Sequence, residues 1–285
     1  MPELPEVETV ARDLTEHLVG RTVESVSVYH EGVLLETSGE ELERSLPGSR
    51  VLEVGRRGKN LIISLENSFV MLVNLGMTGQ LFVCGRDEVL AEHSHMVAEL
   101  SDGRRLVYRD VRRFGRIELI AEDSPEDSVT LRNVGVDAMS AEFTAAYLAE
   151  VLRGRTAVLK NALLDQSRLA GLGNIYVCET LYRAGVDPEA RCCDVTEAAA
   201  RRLREAIRKV LVEAIAAEGT TISDYVTGRG VPGGFQERLA VYGREGEVCR
   251  RQGCEHTIVR IVQSNRSTFY CPGCQRADAN RSDLS

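Results

Sequence analysis

Residues 1–20, MPELPEVETVARDLTEHLVG, decide how the N-terminal part of the chain folds. Prolines suit the first turn of a helix, where the missing N–H would be unpaired, and acids there complement the positive end of the helix dipole. Gly20 suits the position just beyond the helix end. The apolar residues follow helical spacing: Val7, Val10, Ala11, Leu14 and Leu18. The segment predicts a first helix over roughly residues 3–19.

Pro2 also allows a chemical interpretation. A small residue after Met1 normally leads to removal of that methionine, so we expect the mature chain to begin with a secondary amine beside the Glu3 carboxylate. An α-amino group titrates near ~8, which leaves a nucleophilic fraction at neutral pH. On this segment alone, the structural and the chemical interpretations both stay open.

The composition is that of an ordinary globular protein with one large or two modest domains. The chain has 285 residues, of which 43% are hydrophobic and 27% charged. Its apolar runs are shorter than a membrane span, and its N-terminus is acidic, unlike a secretory signal. We expect a cytoplasmic protein.

Charge is unevenly distributed along the chain. The net charge is −8, yet residues 104–116, RRLVYRDVRRFGR, carry six arginines and one acid, Asp110. This stripe is compatible with DNA binding, although an exposed strand with alternating arginines would look the same. Lysine is rare, and codon bias alone would explain the imbalance with arginine. A lysine kept in an arginine-rich chain can also mark a position that needs a compact or deprotonatable charge. The three lysines are Lys59, Lys160 and Lys209.

Two kinds of pattern divide the chain. Residues 21–120 contain short β-rich runs separated by turn residues, which predicts an all-β sandwich or barrel behind the first helix. The runs are TVESVSVY, RVLEVG, NLIISL, FVMLVNL, RRLVYR and GRIELI. Helical patterns follow over 141–219, and Thr196 and Gly219 are expected to cap the last of them. A glycine-rich stretch (227–236), a cysteine-bearing module and a polar tail complete the chain.

Four of the eight cysteines form two pairs, C-x4-C and C-x2-C, around an apolar hairpin. In a cytosolic chain this spacing favours a zinc site of four thiolates over disulfides. The first pair is longer than the common C-x2-C, and His256 is an alternative ligand. The predicted ligands are Cys249, Cys254, Cys271 and Cys274.

Six motifs occur in an order that resembles bacterial formamidopyrimidine-DNA glycosylases of the Fpg/Nei family. These are MPELPEVE at the N-terminus, RRGKNL around Lys59, NLGMTG around Met77, RRFG at 112–115, GLGNIY at 171–176 and the final FYCPGCQ. GLGNIY by itself indicates only a helix start with backbone N–H groups suited to an anion. Together the motifs cover nearly the whole chain.

The resemblance implies an α+β multidomain fold. Expected are an N-terminal helix with a β-sandwich (1–135), a helix–two-turns–helix DNA-binding domain (136–237), a zinc ribbon (238–276) and a flexible tail (277–285). It also implies a bifunctional DNA glycosylase and AP lyase of base excision repair. Such an enzyme removes 8-oxoguanine and formamidopyrimidines from double-stranded DNA and acts as a monomer.

The resemblance implies a role for each matching residue. Pro2 matches the nucleophile that forms a Schiff base with the sugar, Glu3 its acid/base partner, and Lys59 the proton donor for β-elimination. Arg266 matches the arginine that grips phosphate and serves δ-elimination. The loop at 220–235 resembles one that closes over an oxidised purine. The expected DNA contacts are a wedge of Met77, Arg112 and Phe114, together with His93, Asn174 and, more loosely, Arg155.

Alternatives stay open at three levels. Taken singly, Lys59 is equally an ordinary strand lysine, Met77 and Phe114 core residues, and His93 a solvated loop residue. Departures from the family pattern are Asn74 in place of a histidine, Val111 in place of a proline, and the C-x4-C pair, which bears on the placement of Arg266. The rival functions are a Nei-type glycosylase for oxidised pyrimidines and a damage-binding protein without catalysis.

Overall fold

A computed structural model describes residues 1–124, 127–220 and 233–276. The first helix, α1, spans Leu4–Leu18, as the apolar spacing predicts. Gly20 has a φ of +81°, a left-handed conformation that glycine adopts without strain just after a helix. Most of the predicted glycine-rich loop (221–232) and the predicted tail (277–285) lie outside the described residues.

The β-rich region forms a sandwich of two antiparallel sheets, which decides between the sandwich and the barrel. The sheet orders are β1-β6-β7-β5 and β2-β3-β4-β8. A short helix, α2 (Gly39–Ser45), follows β1. The strands are β1 Val23–Val28, β2 Val51–Arg57, β3 Asn60–Leu65, β4 Phe69–Asn74, β5 Gly79–Gly85, β6 Ser94–Leu100, β7 Arg104–Asp110 and β8 Arg116–Ala121.

The apolar face of α1 and the inner faces of the strands share one core. Leu14 and Leu61 are fully buried within it, together with the large ring of Tyr108. Two polar contacts attach α1 to β2: Thr15 Oγ1 donates to the Val54 carbonyl at 3.3 Å, and Arg56 Nε to the Glu8 carboxylate at 2.8 Å. These contacts fix β2, and the turn after it, relative to the N-terminal helix.

The C-terminal half is mainly helical and ends in a β-hairpin. Thr196 caps α6 by accepting the Ala199 N–H, as expected. The helix ends at Ala216, and Glu218 and Gly219 after it both have positive φ, so the capping role of Gly219 stays a prediction. The elements are β9 Val136–Asp137, α3 Ala145–Leu152, α4 Leu159–Leu163, β10 Leu169–Ala170, α5 Asn174–Ala184, α6 Glu197–Ala216, β11 Val259–Gln263 and β12 Arg266–Tyr270.

The chain divides into two compact units. One comprises Met1–Asn133 and Ala217–Gly234, and the other Val134–Ala216 and Phe235–Ser285. The predicted domain boundaries at 135, 237 and 276 stay a prediction. Among the helices in the described residues, none is long and apolar enough to cross a membrane.

Candidate active site

The start of α1 is a buried, acidic environment. Pro2 is buried, and Glu3 and Glu6 are only 3% and 2% exposed. Glu3 is the N-cap residue, and its N–H donates to Glu6 Oε2 at 2.8 Å. Such a contact satisfies one of the unpaired donors of a helix start. The helix therefore holds Pro2 and Glu3 in a defined geometry.

Glu6 also contacts the segment that precedes the glycine-rich loop. Its Oε1 accepts the N–H of Thr220 at 2.7 Å. Gly219 has a φ of +82°, and a Cβ there would lie 2.7 Å from the same oxygen. Glycine is needed at 219 for its conformation and for this close approach. One buried carboxylate thus joins the helix start to residues 219–220.

Lys59 lies in a tight turn between β2 and β3. Arg57 pairs with Asn60 across the strands, so Gly58 and Lys59 alone make the turn, and Gly58 has a φ of +60°. Lys59 is half-buried. Because β2 is attached to α1, the turn has a fixed position in the unit that carries Pro2.

Met77 and Phe114 are exposed, which excludes the interpretation of both as core residues. Their exposed fractions are 38% and 53%, and Arg112, whose guanidinium carbon lies 4.7 Å from the Phe114 ring centroid, is also exposed. Large exposed apolar side chains beside a cation commonly mark a binding surface. These three residues, which we call the wedge, therefore suit contact with a ligand.

The two loops that carry the wedge are in backbone contact. A Cβ on Gly76, whose φ is +59°, would lie 2.5 Å from the Gly115 nitrogen. Gly76 N–H donates to Asn74 Oδ1 at 3.0 Å, and Asn74 Nδ2 donates to Asn60 Oδ1 at 2.7 Å. Asn74, which departs from the family pattern, thus connects the loop of Met77 to Asn60 on β3 through its side-chain amide.

His93 lies in a left-handed conformation, with a φ of +68°, just before β6. It is half-buried, and its ring centroid lies 6.3 Å from that of His95. His95 is 4% exposed and lies 5.3 Å from the ring of His30. The interpretation of His93 as a merely solvated loop residue does not fit this packing.

Arg266 is exposed at the start of β12, after a turn whose two residues, Ser264 and Asn265, both have positive φ. Asn174, the first residue of α5, donates through Nδ2 to the Ser267 carbonyl at 2.9 Å. Lys160 Nζ donates to the same carbonyl at 3.2 Å and to Thr268 Oγ1 at 2.6 Å. Asn174 and Lys160 thus fix the backbone beside Arg266.

Lys160 supports the segment of Arg266, a role that sequence reasoning did not assign, although its rarity as a lysine singles it out. It is fully buried. Burial lowers the pKa of its ammonium, and the nearby charge of Arg266 also lowers it. By contrast, Arg155, which follows helix α3, donates through Nε to the carbonyl of Val151 in the last turn of that helix at 2.6 Å, and its DNA contact stays a prediction.

The four predicted cysteines converge. Their sulfurs all lie within 4.8 Å of one another. Cys249 and Cys274 are 3.8 Å apart, and Cys254 and Cys271 are 3.6 Å apart. A tetrahedral zinc with bonds of about 2.3 Å places its sulfurs about 3.8 Å apart, so the cluster fits one zinc ion. His256 Nδ1 lies beside it, 3.9 Å from the Cys254 sulfur.

The long first cysteine pair has a structural role of its own. Arg251, within it, lies over the Tyr182 ring at 5.0 Å and donates to the Tyr182 carbonyl at 2.8 Å, near the end of α5. The Tyr182 hydroxyl lies 3.2 Å from the Cys249 sulfur. Cations near the C-terminal end of a helix are favourable. Arg251 therefore attaches the cysteine module to the end of α5.

Comparison with known proteins gives three family matches. The N-terminal domain of formamidopyrimidine-DNA glycosylase matches residues 1–117, the H2TH domain of that enzyme 134–226, and the zinc finger found in FPG and IleRS 246–277. The formamidopyrimidine-DNA glycosylase of Gluconobacter oxydans is 41% identical over 97% of this chain and all of its own length.

Solved structures agree with these matches. The complex between the Lactococcus lactis Fpg and an abasic site containing DNA is 34% identical, with a TM-score of 0.89, and covers 96% of this chain and 99% of its own. MutM in complex with carbocyclic 8-oxo-G containing DNA is 35% identical, with a TM-score of 0.88, over 96% of this chain and all of its own.

Proposed function

Because the chain belongs to the formamidopyrimidine-DNA glycosylase family, we propose that it is a bifunctional DNA glycosylase and AP lyase of base excision repair. Its substrates are oxidised purines, 8-oxoguanine and formamidopyrimidines, in double-stranded DNA. One structural observation carries the proposal: the buried Pro2–Glu3 helix start and the exposed wedge belong to the same compact unit. A nucleophile and a surface suited to filling a gap in stacked bases are thus both present.

The proposed chemistry begins with removal of Met1, which frees the Pro2 amine. The nitrogen attacks the anomeric carbon of the damaged nucleotide, and the bond to the base breaks with its electron pair going to the leaving base. The nitrogen then loses its proton, and the sugar ring opens as the C1′–O4′ bond breaks and O4′ takes up a proton, which gives a cationic iminium. Glu3 is placed to exchange the protons of these steps because it adjoins Pro2 and is almost fully buried.

Strand cleavage follows from the electron demand of the iminium. Loss of a C2′ proton expels the 3′ phosphate by β-elimination, and a further elimination expels the 5′ phosphate. Lys59 is assigned as proton donor for the first elimination, and Arg266 as the phosphate-gripping residue of the second. The four cysteines hold one zinc ion, whose role is to keep the hairpin that carries Arg266 folded.

The wedge serves extrusion of the damaged nucleotide. An enzyme that acts on a base in a duplex must rotate it out of the stack, and side chains that fill the gap offset the lost stacking. Met77 and Phe114 supply apolar surface, and Arg112 a cation able to bond base edges. His93, Asn174 and Arg155 are assigned as further DNA contacts.

Borohydride trapping tests this function. With intact full-length chain and an 8-oxoguanine duplex, we expect a covalent adduct on the N-terminal peptide, attached through Pro2. Glu3→Gln should still bind the duplex but excise little base. An adduct on a lysine, an active protein that retains Met1, or no excision would contradict the proposal.

The two rival functions predict different results when the DNA substrate is changed. A Nei-type enzyme would prefer a duplex with an oxidised pyrimidine, and a damage-binding protein would not nick abasic DNA. The names of the curated relatives favour neither rival. We further propose that the enzyme acts as a monomer, since the proposed chemistry assigns every step to residues of a single chain. We also propose that it acts in the cytoplasm, where thiols such as those of the four cysteines stay reduced. Light scattering of the purified protein tests the monomer.

A further inference from the structure

Asp110 is the one acid in the arginine-rich stretch 104–116, and it is fully buried. It is the last residue of β7, so the loop of Arg112 and Phe114 begins directly after it. A buried carboxylate is costly unless it is hydrogen-bonded. Its partners therefore indicate what this residue does.

The side chain of Asp110 joins both loops of the wedge. Oδ1 accepts the Thr78 hydroxyl at 2.5 Å and the Arg112 N–H at 3.2 Å. Oδ2 accepts the Gly115 N–H at 2.8 Å and the Tyr108 hydroxyl at 3.3 Å. Thr78 follows Met77, and the two N–H groups flank Phe114. One carboxylate thus holds the backbone on both sides of the wedge.

The backbone of Asp110 extends these contacts to a third loop. Its N–H donates to the His93 carbonyl at 3.0 Å. Its own carbonyl lies 2.8 Å from His95 Nε2, and since a carbonyl only accepts, that nitrogen carries the proton. His93, a proposed DNA contact, is therefore hydrogen-bonded to the same residue, Asp110, that holds the two loops of the wedge.

The surrounding space leaves little freedom for these loops. A Cβ on Gly115 would lie 2.6 Å from the Asn74 carbonyl oxygen, and one on Gly79 2.3 Å from the Leu75 carbonyl oxygen. Backbones this close cannot shift independently. Dense packing and the shared carboxylate both oppose separate motion of the loops.

We propose that Asp110 is a positioning residue that holds Met77, Arg112 and Phe114 as one preformed wedge before DNA binds. The proposal rests on the proposed function, because it concerns the gap that extrusion leaves. A preformed wedge lowers the entropy that must be lost on binding, and a small displacement of a positioned group lowers catalysis strongly. Asp110 acts through the wedge and does not itself touch DNA.

Thr78 provides the sharpest test, since its hydroxyl donates to the Asp110 carboxylate and also accepts the Arg112 N–H at 3.1 Å. Thr78→Val removes both hydrogen bonds with little change in volume, and Thr78→Ser keeps them, whereas Asp110→Asn alters only the carboxylate. We expect Thr78→Val to slow single-turnover excision of 8-oxoguanine from duplex DNA by on the order of tenfold. Cleavage at an abasic site in single-stranded DNA, where no stacked base must be replaced, should change by less than about twofold. Thr78→Ser should recover most of the duplex rate.

Asp110→Asn is the second variant, and Met77→Ala reports on the wedge itself. Fluorescence of 2-aminopurine beside the lesion follows extrusion directly, and it should be slowed in Thr78→Val, Asp110→Asn and Met77→Ala alike. Equal losses on both substrates would mean a general loss of stability and overturn the proposal. So would wild-type excision by Thr78→Val or by Met77→Ala. If wild type excises no oxidised purine at all, the proposed function fails instead.

Discussion

Lys59 is the only lysine among the first 159 residues, and it lies in the Gly58–Lys59 turn. A lysine can act as both a cation and a proton donor, whereas arginine with a pKa above ~12 donates protons poorly. We expect Lys59→Arg to keep most DNA affinity but to lose most excision of 8-oxoguanine. Cleavage at a preformed abasic site should suffer less, because Pro2 still forms the iminium.

Single-turnover kinetics on the two substrates, with binding followed separately, measure this difference. Lys209→Arg, an exposed lysine on α6, is the matched control and should behave as wild type. A wild-type rate of 8-oxoguanine excision by Lys59→Arg would show that the lysine is only a phosphate clamp.

His95 should make the N-terminal unit sensitive to mild acid. Burial lowers its pKa more than the hydrogen bond to the Asp110 carbonyl raises it, and the nearby Arg113 guanidinium and His30 ring lower it further. The unfolded chain, with a histidine pKa near ~6.5, then takes up the proton first. The free energy of unfolding should therefore fall as pH drops below about 6.5.

Urea unfolding at about pH 7.5 and about pH 5.5 measures this loss of stability. In His95→Gln the side-chain amide still donates to the Asp110 carbonyl but does not titrate, so its stability should depend less on pH. Equal pH dependence in the two proteins would show that another group is responsible.

Single residues also show where sequence reasoning succeeds and where it stops. The four cysteines converge as their local motif predicts, and a local motif likewise names Pro2 and Lys59, whose roles stay predictions. Lys160 and Asp110 were not assigned roles, because their partners lie far along the chain: Thr268 for the lysine and Thr78 for the aspartate. The only sequence signal for either residue was its unusual type: Lys160 is one of three lysines in the chain, and Asp110 is the one acid in residues 104–116.

Among the elements, those with a clear apolar period were predicted, and those without it were not. α1, β3 and α6 follow their patterns closely. β5 and β6 were missed: β6, SHMVAEL, consists largely of residues that are not strand formers, yet it pairs with β1 on one side and β7 on the other. Tertiary pairing overrides weak local preference there.

Helix α5 carries the attachment of the segment that leads into the cysteine module. Glu179, 4% exposed, accepts the N–H groups of Ala240, Val241 and Tyr242 at 2.8–2.9 Å. Glutamine would present an NH2 group to one of these donors. We expect Glu179→Gln to lower the free energy of unfolding by about 2–3 kcal/mol, measured by urea denaturation.

Glu213→Gln on α6 is the control for this change. Glu213 pairs with Arg183 at 2.7 Å, but its side chain is one-third exposed. Loss of this ion pair in Glu213→Gln should lower the free energy of unfolding by less than about 1 kcal/mol. Similar effects of the two substitutions would show that the three backbone contacts of Glu179 contribute little.

At the scale of the whole molecule, metal removal should affect the two units unequally. The cysteines belong to the second unit, and so small a module depends on its metal to fold. We expect chelation, or Cys271→Ser, to abolish DNA binding while amide exchange within the β-sandwich stays slow. Cys193→Ser, an exposed cysteine outside the cluster, should keep both zinc and binding.

Metal analysis and hydrogen exchange on the same samples distinguish the outcomes. Absence of zinc from protein purified without chelator would refute the site. Loss of protection throughout the β-sandwich after chelation would show that the first unit depends on the metal as well.

The arrangement into units shows another limit of the sequence. The strand-rich and helix-rich parts are separable by their periodicity, but residues 217–234 group with the first unit although they follow the last helix. The contact between Glu6 and Thr220, which joins residues 214 positions apart, has no local pattern that predicts it.

The contact between Gly76 and Gly115 limits how this surface can change in evolution or by design. Neither position tolerates a side chain, so the two loops must keep their lengths and paths together. Met77, Arg112 and Phe114, in contrast, extend from this frame and are exposed. These three side chains can therefore be exchanged singly on an unchanged scaffold, whereas insertions in either loop would disrupt both.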